Sequence, residues 1–381
     1  MRRLSVLVLA VTAVTATAVT LVGPARASNP PGWRVWQVAG VTAPYSYNSG
    51  ITALSKTDAW VVGGVTKNAK QAPRLTVKHW NGKSWSQSAV PSNAATTWGG
   101  QAAVAASSAA NALVFNNAAN GSAYGLRWNG KNWSVSPPHG AVLDNDAIFG
   151  SADAWAFGND RGVSYATHYN GYAWKTVSVP VETTLQGTVS AVSASDIWAV
   201  GVSTATAITA AADQVPEAAY YNGKSWKAMP ITNLHLPKNQ LLDSPVILAL
   251  SPKNVWVYSA LQGFVAHAGW ISLPGVVLTH WNGKTWSRVA VPYQTQQNGY
   301  ISSDGHGGVW LSAATKTGQE YLYHDNAGKW TRTVVPTESG YQADVDALAT
   351  IPGTTSVWAV GELQSISNNQ DGRAVIWKYG A

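Results

Sequence analysis

The sequence predicts an all-β protein, a seven-bladed β-propeller of four-stranded antiparallel blades. Three observations lead to this prediction: a Trp-centred motif that recurs at intervals, a hairpin motif that follows most of its copies, and an N-terminal segment that supplies a missing strand. The first motif, of the type DAWVVGG, begins at residues 58, 111, 153, 196, 254, 308 and 356. Its copies are 42 to 58 residues apart, measured between Trp60, Leu113, Trp155, Trp198, Trp256, Trp310 and Trp358. Repeats of about 40–50 residues with several strands each are typical of propeller blades.

Residues 51–91 illustrate what each interval contains. They read ITALS, DAWVVGG, LTVKHWNG and KSWSQSAVP, four segments rich in β-branched and aromatic residues. We label them strands a to d. Asn81-Gly82 between strands c and d favours a two-residue type I′ turn, in which both central residues have positive φ. Related hairpin motifs begin at residues 79, 127, 168, 220, 280 and 324. Each unit is therefore expected to be a four-stranded antiparallel meander.

The seventh unit lacks a fourth strand. It ends with RAVIWKYGA at the C-terminus, whereas GWRVWQVAG at residues 32–40 resembles a fourth strand with nothing before it. We predict that this N-terminal strand pairs with residues 373–379 and closes the ring. Such a closure removes the open edges of the terminal blade.

Residues 1–27 have the pattern of a secretory signal peptide. Two arginines precede an apolar run at 4–22, and the tripeptide ARA at 25–27 is a small-residue cleavage site. An uncleaved membrane anchor is the alternative, but the Ala and Thr content of the run and the cleavage site favour export. We expect a secreted, extracellular protein with one propeller domain at 28–381, exported by either the general secretory or the twin-arginine route.

Composition narrows the classes of partner. The chain has no cysteine, so neither a disulfide framework nor a thiolate metal site is expected. The net charge is +7, and removal of the three signal-peptide arginines leaves 7 − 3 = +4. Lysine and arginine form no stripe of the kind that binds nucleic acid. We expect a monomer with no nucleic-acid partner, no cofactor and no membrane span after signal cleavage.

The alternation of a D-x-W-A-V-G strand with H-W-N-G-x-x-W resembles the Trp-rich propeller repeats of secreted bacterial proteins, especially those of actinobacteria. At the level of the fold it is similar to kelch and galactose-oxidase propellers, although a kelch-like Gly doublet occurs only at Gly63-Gly64. The galactose-oxidase copper site needs a Tyr cross-linked to Cys, and this chain has no Cys. The stretch SSDGHGGVW from residue 302 is similar to the Asp-box of sialidase-like propellers, which implies a structural turn.

The repeated side chains are predicted to be structural. The Trp residues of strands b and d are expected to pack between blades, because a Trp side chain buries a large apolar area. Asp58, Asp153 and Asp196 start strand b and are expected to accept hydrogen bonds from backbone N–H groups of the a–b turn. His79 and His168 share one position of the repeat. Residues repeated around a ring are not expected to be catalysts.

The predicted binding face carries the variable connections. The a–b and c–d turns are short, whereas the b–c and d–a connections are long and differ between units, as at 202–218, 231–245 and 259–276. Binding residues concentrate on variable loops of a rigid scaffold. Non-repeated aromatic and polar residues near this face and the channel mouth are the candidate ligand-binding residues, with ordinary solvated loop residues as the alternative: Tyr47, Trp98, Asp144, Asp146, Asp243, Trp270, Tyr300, Tyr341, Asp344 and Asp346.

Three functions fit these residues. The first is an extracellular module that binds a glycan or cell-wall polymer, because aromatic faces stack on sugars while Asp side chains accept from hydroxyls. The second is a polysaccharide hydrolase or lyase using the Asp pairs 144/146 and 344/346, whose members are expected to share a strand face. Ca²⁺ binding by these pairs is an alternative that no motif supports. The third is a scaffold for a secreted protein partner. Sialidase activity is not expected, because no cluster of three arginines is present.

Overall fold

The computed structural model describes 32–39, 45–66, 73–91, 94, 97–118, 123–135, 142–150, 153–160, 163–182, 189–203, 216–232, 234, 236–237, 240–265, 269–293, 295, 299–368 and 371–380. The predicted signal peptide lies outside these residues. All regular elements in the described part are β-strands, so the all-β prediction is confirmed.

The described residues form strands that run in chain order as follows: β1 (Trp33–Val38), β2 (Tyr45–Ser55), β3 (Asp58–Thr66), β4 (Arg74–Trp80), β5 (Trp85–Ser88), β6 (Thr97–Ser108), β7 (Asn111–Ala118), β8 (Ala123–Trp128), β9 (Trp133–Val135), β10 (Val142–Gly150), β11 (Asp153–Asp160), β12 (Val163–Tyr169), β13 (Trp174–Val177), β14 (Val181–Glu182), β15 (Val189–Ser193), β16 (Asp196–Ser203), β17 (Pro216–Tyr221), β18 (Trp226–Pro230), β19 (Gln240–Ser251), β20 (Asn254–Val265), β21 (Gly269–Trp281), β22 (Trp286–Val289), β23 (Ile301–Ser303), β24 (Val309–Ala314), β25 (Glu320–Asn326), β26 (Lys329–Val334), β27 (Tyr341–Thr350), β28 (Val357–Ser365) and β29 (Gly372–Tyr379).

Consecutive strands pair antiparallel into meanders. Four sheets have four strands each: β6–β9, β10–β13, β19–β22 and β23–β26. The sheet of β15–β18 gains β14, which pairs with β16 beside β15. The remaining sheet has eight strands, because β2–β5 and the group of β27–β29 with β1 are joined by one parallel pair, Tyr45 with Gly372.

The predicted pairing of the chain ends is confirmed. β1 lies antiparallel to β29, from Trp33 opposite Tyr379 to Val38 opposite Val375. Trp33 is buried and its ring meets that of Trp310 edge-on, with 5.3 Å between centroids. The N-terminal strand therefore completes the last group of strands and also packs against the group before it.

The hairpin turn differs from the prediction. Trp80 pairs with Trp85, so four residues connect β4 to β5, and only Gly82 among them has positive φ, at 90°. The Asn81 side chain explains this, because its Oδ1 accepts hydrogen bonds from the N–H groups of Lys83 and Ser84, both at 3.0 Å. An Asx turn thus replaces the expected type I′ turn. Four further copies repeat these bonds with Asn129, Asn170, Asn222 and Asn282.

A two-residue turn does occur in the divergent copy HDNAGKW. There Asn326 pairs with Lys329, and the residues between them, Ala327 and Gly328, both have positive φ. The connection at 259–276 also differs from the expected loop, since most of it is strand. β20 and β21 remain paired out to Val265 opposite Gly269.

The core lies between neighbouring groups of strands, as predicted for the Trp residues. Trp60 of β3 packs against the β6–β9 sheet, where the ring of Trp133 meets it edge-on at 5.6 Å. Trp133 also donates a hydrogen bond from Nε1 to Ser88 Oγ, at 2.9 Å. Equivalent apolar clusters join β10–β13 to β14–β18 and β15–β18 to β19–β22. The repeated Trp residues therefore hold adjacent sheets together.

Candidate functional site

The repeated acids at the start of strand b contact side chains, which corrects the predicted backbone contacts: Asp58 and Asp153 bind histidine, and Asp196 accepts a hydrogen bond from Trp198 Nε1 at 3.2 Å. Asp58 Oδ1 lies 2.8 Å from His79 Nε2, and the His79 ring stacks on Trp60 at 4.1 Å between centroids. Asp153 and His168 repeat this pair at 2.8 Å. The turn itself is held by serine instead, as in the 3.1 Å hydrogen bond from the Thr57 N–H to Ser55 Oγ. These units are structural.

Asp304, in the Asp-box-like stretch before β24, makes three hydrogen-bonding contacts. Its Oδ1 accepts from the backbone N–H groups of His306 and Gly308, at 2.7 and 2.9 Å, and its Oδ2 lies 3.1 Å from His324 Nε2. Burial raises the pKa of Asp304, but these hydrogen bonds outweigh burial and hold the pKa below its ordinary value. The stretch similar to an Asp-box is therefore a turn built on a satisfied carboxylate.

A central cavity of about 350 Å³ opens among the first strands of the sheets. Residues of β2, β6, β15, β19, β23 and β27 line it, together with Tyr300. Tyr300 directly precedes β23, and its backbone exchanges hydrogen bonds with Ser312, whose Oγ accepts from the Tyr300 N–H at 2.8 Å. Asp346 of β27 is the acid that lines this cavity. The cavity thus brings together two of the predicted site residues.

A β-bulge places Asp346 on the channel. Val345 pairs with Gly361 and Ala347 pairs with Val360, so Asp346 is an extra residue without an opposite partner. Bulges interrupt the alternation of a strand and re-aim a side chain. The prediction that Asp344 and Asp346 share a strand face assumed regular alternation, and this bulge interrupts the alternation between them. Ser49 occupies the same bulge position in β2 and also lines the cavity.

Two further acids join the predicted pair. Glu362 of β28 pairs directly with Asp344, which puts the two side chains on one face of the sheet. Glu320 begins β25 and is buried. We call Glu320, Asp344, Asp346 and Glu362 the acidic cluster. Because first and third strands start, and second strands end, at the same end of a meander, the cluster lies at the end of the channel with the long connections.

Burial and mutual repulsion favour the protonated forms of these acids. Desolvation, followed by the charges of Asp344, Glu362 and Glu320, raises the pKa of Asp346 well above its ordinary value. Desolvation and Asp344 likewise raise the pKa of Glu320. Asp344 keeps solvent contact at the channel mouth, yet desolvation by the walls around it still raises its pKa.

Glu362 is the most constrained member of the cluster. Its side chain is 7% exposed, and desolvation raises its pKa to about 7 although a hydrogen bond from the Tyr45 hydroxyl opposes this. Gly372 permits the approach, because a Cβ there would lie 2.6 Å from the Tyr45 ring and 3.0 Å from Glu362 Oε2. That Oε2 atom is buried and has no hydrogen-bond partner among the described residues.

Tyr300 and Tyr45 flank the cluster. Burial, Asp346 and Asp344 raise the pKa of Tyr300, and burial and Glu362 raise that of Tyr45, so both hydroxyls stay protonated. Tyr47 lies next to Tyr45, with 5.9 Å between ring centroids, but it is only 6% exposed.

The other predicted site residues lie elsewhere or outside the described side chains. The Tyr341 ring contacts the Arg373 guanidinium at 4.5 Å, and its hydroxyl donates to Asp371 Oδ2 at 3.2 Å. Of the remaining candidates only the strand positions are described, not the side chains: Trp98, Asp144, Asp146, Asp243 and Trp270. Asp144 occupies the bulge of β10, between Leu143 and Asn145, as Asp346 does in β27.

Sequence reasoning missed Glu320 and Glu362. Both are charged residues next to apolar strand residues, in EYLY after a turn and in the repeat-derived AVGE. A carboxyl in place of an apolar residue, at the end of a strand that carries the long connections, was the signal that could have identified them.

A second cavity, of about 480 Å³, lies between β13 and the β17–β18 hairpin. Its walls include Trp155, His168, Tyr221 and Trp226, which are all repeat-position residues. Among the described residues, no group of three or more His, Cys, Asp or Glu side chains is arranged to hold a metal ion. In the same part of the chain, no helix has the length and apolar character that a membrane crossing requires.

Comparisons with known proteins establish the fold class. No protein-family model matches the chain, and a sequence comparison with curated proteins finds no relative. The structure is similar to YCF48 bound to a D1 peptide, with a TM-score of 0.56 and 12% identity over 94% of this chain and 99% of that one. It is also similar to the β-propeller domain of the trilobed protease from Pyrococcus furiosus, with a TM-score of 0.54 and 10% identity over 89% and 94% of the chains. A protein of unknown function from Dyadobacter fermentans gives 0.52 and 11% over 92% and 100%. The chain is a β-propeller.

Proposed function

We propose that this protein is a secreted binding module that takes a glycan or cell-wall polymer at the long-connection end of its central channel. One observation carries the proposal: Tyr45, Tyr300 and the acidic cluster converge at that single end. Apart from Glu362, which ends the last copy of the strand-b motif, none of them belongs to the repeated motifs. They come from several strands, with Tyr45 on β2 and the others between residues 300 and 362, as expected of a site placed on a repeated scaffold.

The chemistry of this end suits a sugar. Carboxyl groups accept hydrogen bonds from hydroxyls, and those that keep their proton also donate one. Tyrosine rings supply apolar faces for the C–H face of a pyranose. A cavity of about 350 Å³ falls within the range of small-molecule sites.

The same proposal includes seven blades, a single domain at 28–381, a monomer and export after removal of 1–27. The eight-stranded sheet supports the blade count, because among the described residues one parallel pair, Tyr45 with Gly372, is the strand pairing that joins its two four-stranded groups. With the five other sheets these groups amount to seven units. The resemblance to Trp-rich repeats of secreted bacterial proteins is consistent with this reading.

A glycan array followed by isothermal titration tests the proposal. We expect binding by the purified protein, weakened about tenfold or more by Asp346→Asn. Asp153→Asn is the matched control, because it removes the same charge from a repeat position where Asn254 makes the equivalent hydrogen bond to His280. The absence of binding to every saccharide tested would refute the proposed function.

A polysaccharide hydrolase is the second candidate, and Glu362 favours it. A carboxyl with a pKa raised to about 7, opposite Asp344 in the sheet, resembles an acid paired with a base. This candidate predicts release of reducing ends from a bound polysaccharide, with turnover lost in Asp344→Asn while binding persists. Binding without any turnover excludes it.

A further inference from the structure

The first strands of the meanders form a closed ring around the central cavity, which we call the inner ring. β2 contacts β6, and the contacts continue through β10, β15, β19 and β23 to β27, which contacts β2 again. All of these strands except β10 contribute described residues to the wall of the cavity. The described strands therefore surround the cavity, and a ligand enters it along the axis of the ring.

The strands of the inner ring are edge strands. Apart from the link between Tyr45 and Gly372, each of them pairs, among the described residues, with the second strand of its own meander. An edge strand turns a row of backbone N–H and C=O groups away from its sheet, and here that edge faces the channel. The wall therefore offers hydrogen-bond donors and acceptors, although many of its side chains are apolar.

Hydroxyl groups already bind this backbone edge. Ser49 Oγ of β2 donates to the carbonyl oxygen of Ala102 at 3.0 Å and accepts from the Ala102 N–H at 3.2 Å, and both residues line the cavity. Ser190 Oγ of β15 likewise accepts from the Ala249 N–H of β19, at 3.0 Å. The inner ring thus uses hydroxyls to satisfy the backbone of a neighbouring strand, and a sugar supplies further hydroxyls of the same kind.

The polar and apolar side chains of the wall lie at different depths. A first strand runs from the long-connection end towards the a–b turn, so that a lower residue number lies nearer the mouth. Asp346 precedes Leu348 on β27, and Tyr300 precedes Ile301 of β23. A ligand therefore passes polar side chains first and then reaches apolar ones, against which the C–H surface of a sugar ring packs.

We propose that the channel takes the chain end of a glycan and does not bind an internal stretch. An internal stretch continues in two directions and needs an open groove, whereas a ring entered along its axis admits a chain by its end. The volume of about 350 Å³ lies near the lower limit of small-molecule sites, so the channel holds a short terminal segment. The inference rests on the proposed function, since it specifies which part of the glycan enters the same site.

The length and the cyclisation of the ligand test the inference. Isothermal titration of the purified protein compares maltotetraose with α-cyclodextrin and isomaltotetraose with dextran, and any other saccharide that the glycan array identifies is compared with its polymer in the same way. We expect the cyclic glucan, which has no chain end, to bind about tenfold or more weakly than the linear one. At equal mass of sugar, a polymer should offer fewer binding sites in proportion to its chain length.

Filling the channel gives a second readout. Ala103 lines the cavity, so Ala103→Phe should weaken the binding of a tetrasaccharide about tenfold or more. Ala109 lies in the exposed a–b turn of the same meander, and Ala109→Phe is the matched control that should retain the affinity. Circular dichroism checks the fold of both variants. The comparison of chain lengths needs no variant, so it decides the matter if Ala103→Phe does not fold.

The outcomes separate the two proposals. Equal affinity for the linear and the cyclic glucan, or an equal number of sites per gram in short and long chains, overturns the recognition of chain ends and leaves glycan binding intact. Unchanged affinity in a folded Ala103→Phe variant means that the sugar binds outside the channel, which overturns the inference as well. Absence of binding to every saccharide tested overturns the proposed function itself.

Discussion

Two regions of this propeller contain acids that are partly or fully removed from solvent, and their surroundings shift the carboxyl pKa in opposite directions. Asp304, in the repeated turn, accepts hydrogen bonds from two backbone N–H groups and lies against His324, so its pKa is lowered. Asp346, on the bulge of β27, is surrounded by other acids, and desolvation and their charges raise its pKa. The Asp304 carboxylate stabilises the fold, whereas the folded protein disfavours the ionised form of Asp346.

The difference separates the repeated positions, which stabilise the fold, from the non-repeated positions of the acidic cluster. Each repeated acid has a partner within its own sheet, whereas the acidic cluster gathers Glu320, Glu362 and the β27 acids from two adjacent sheets. Real proteins break the rules of polar satisfaction at functional sites and compensate elsewhere. Substitutions in the repeated units and in the acidic cluster should therefore affect stability in different ways.

The largest effect is expected in the repeated core. Trp358 is 0% exposed, and the rings of Trp36, Trp80 and Trp85 lie 5.3 to 5.5 Å from it. Trp358→Ala should lower the free energy of unfolding by about 3–5 kcal/mol, because it leaves a cavity among these rings. Urea denaturation measures the loss. Tyr172→Ala, at a side chain 94% exposed, should change it by less than about 0.5 kcal/mol. Equal effects of the two substitutions would contradict the structural role of the repeated Trp.

The acidic cluster should make the protein less stable as pH rises. Glu362 has a pKa of about 7 in the folded protein against an ordinary 4.5, so the folded state holds the proton more strongly than the unfolded state. The carboxyl therefore imposes no penalty below about pH 4.5, and the penalty grows to about 3 kcal/mol as pH rises through 7.

Urea denaturation at several pH values measures this slope, and Glu362→Gln should remove its share. Asp346 and Glu320 add to the wild-type slope with the same sign, since burial raises both pKa values. A variant with the same pH dependence as the wild type would show that Glu362 is not the group that titrates.

The comparison also explains what sequence could predict. The strand order, the pairing of the N-terminal strand β1 with β29 and the inter-sheet Trp contacts follow from counting repeats, because the repeats bury the same Trp positions against their neighbours. The type of turn could not be predicted from the repeats, because an Asn-Gly sequence suits both a type I′ turn and the Asx turn found at Asn81. The extended hairpin of β20 and β21 was also missed, because strand pairing beyond the repeat leaves no periodic signal.

The site was predictable only in part. Tyr300 and Asp346 were found because they interrupt the repeat near the channel. Glu320 and Glu362 were missed because their convergence depends on tertiary contacts between sheets. The bulge at Asp346 was equally invisible, as one extra residue in a strand leaves the local composition unchanged.

Removing one acid from each region should have effects of opposite sign. Asp304→Ala should cost about 2 kcal/mol, because it leaves the buried N–H group of Gly308 and the partly buried N–H group of His306 without an acceptor. Asp346→Asn should raise the free energy of unfolding by about 1 kcal/mol at neutral pH, because the raised pKa of Asp346 means that the folded protein disfavours the ionised carboxyl, and asparagine has no such group. Thermal and urea unfolding at one pH measure both changes. Destabilisation by Asp346→Asn would mean that its carboxylate has a stabilising partner.

The smallest change in stability is expected for Asp153→Asn, because another copy of the repeat already has Asn at this position. In the β19–β22 sheet, Asn254 takes the place of the repeated Asp, and its Oδ1 lies 2.9 Å from His280 Nε2, against 2.8 Å for Asp153 and His168. An amide oxygen therefore holds the histidine as well as a carboxylate does. Asp153→Asn should change the free energy of unfolding by less than about 0.5 kcal/mol and leave saccharide affinity unchanged. Urea denaturation and isothermal titration measure the two quantities. A loss of affinity in this variant, equal to that of Asp346→Asn, would mean that total charge rather than the acidic cluster governs binding.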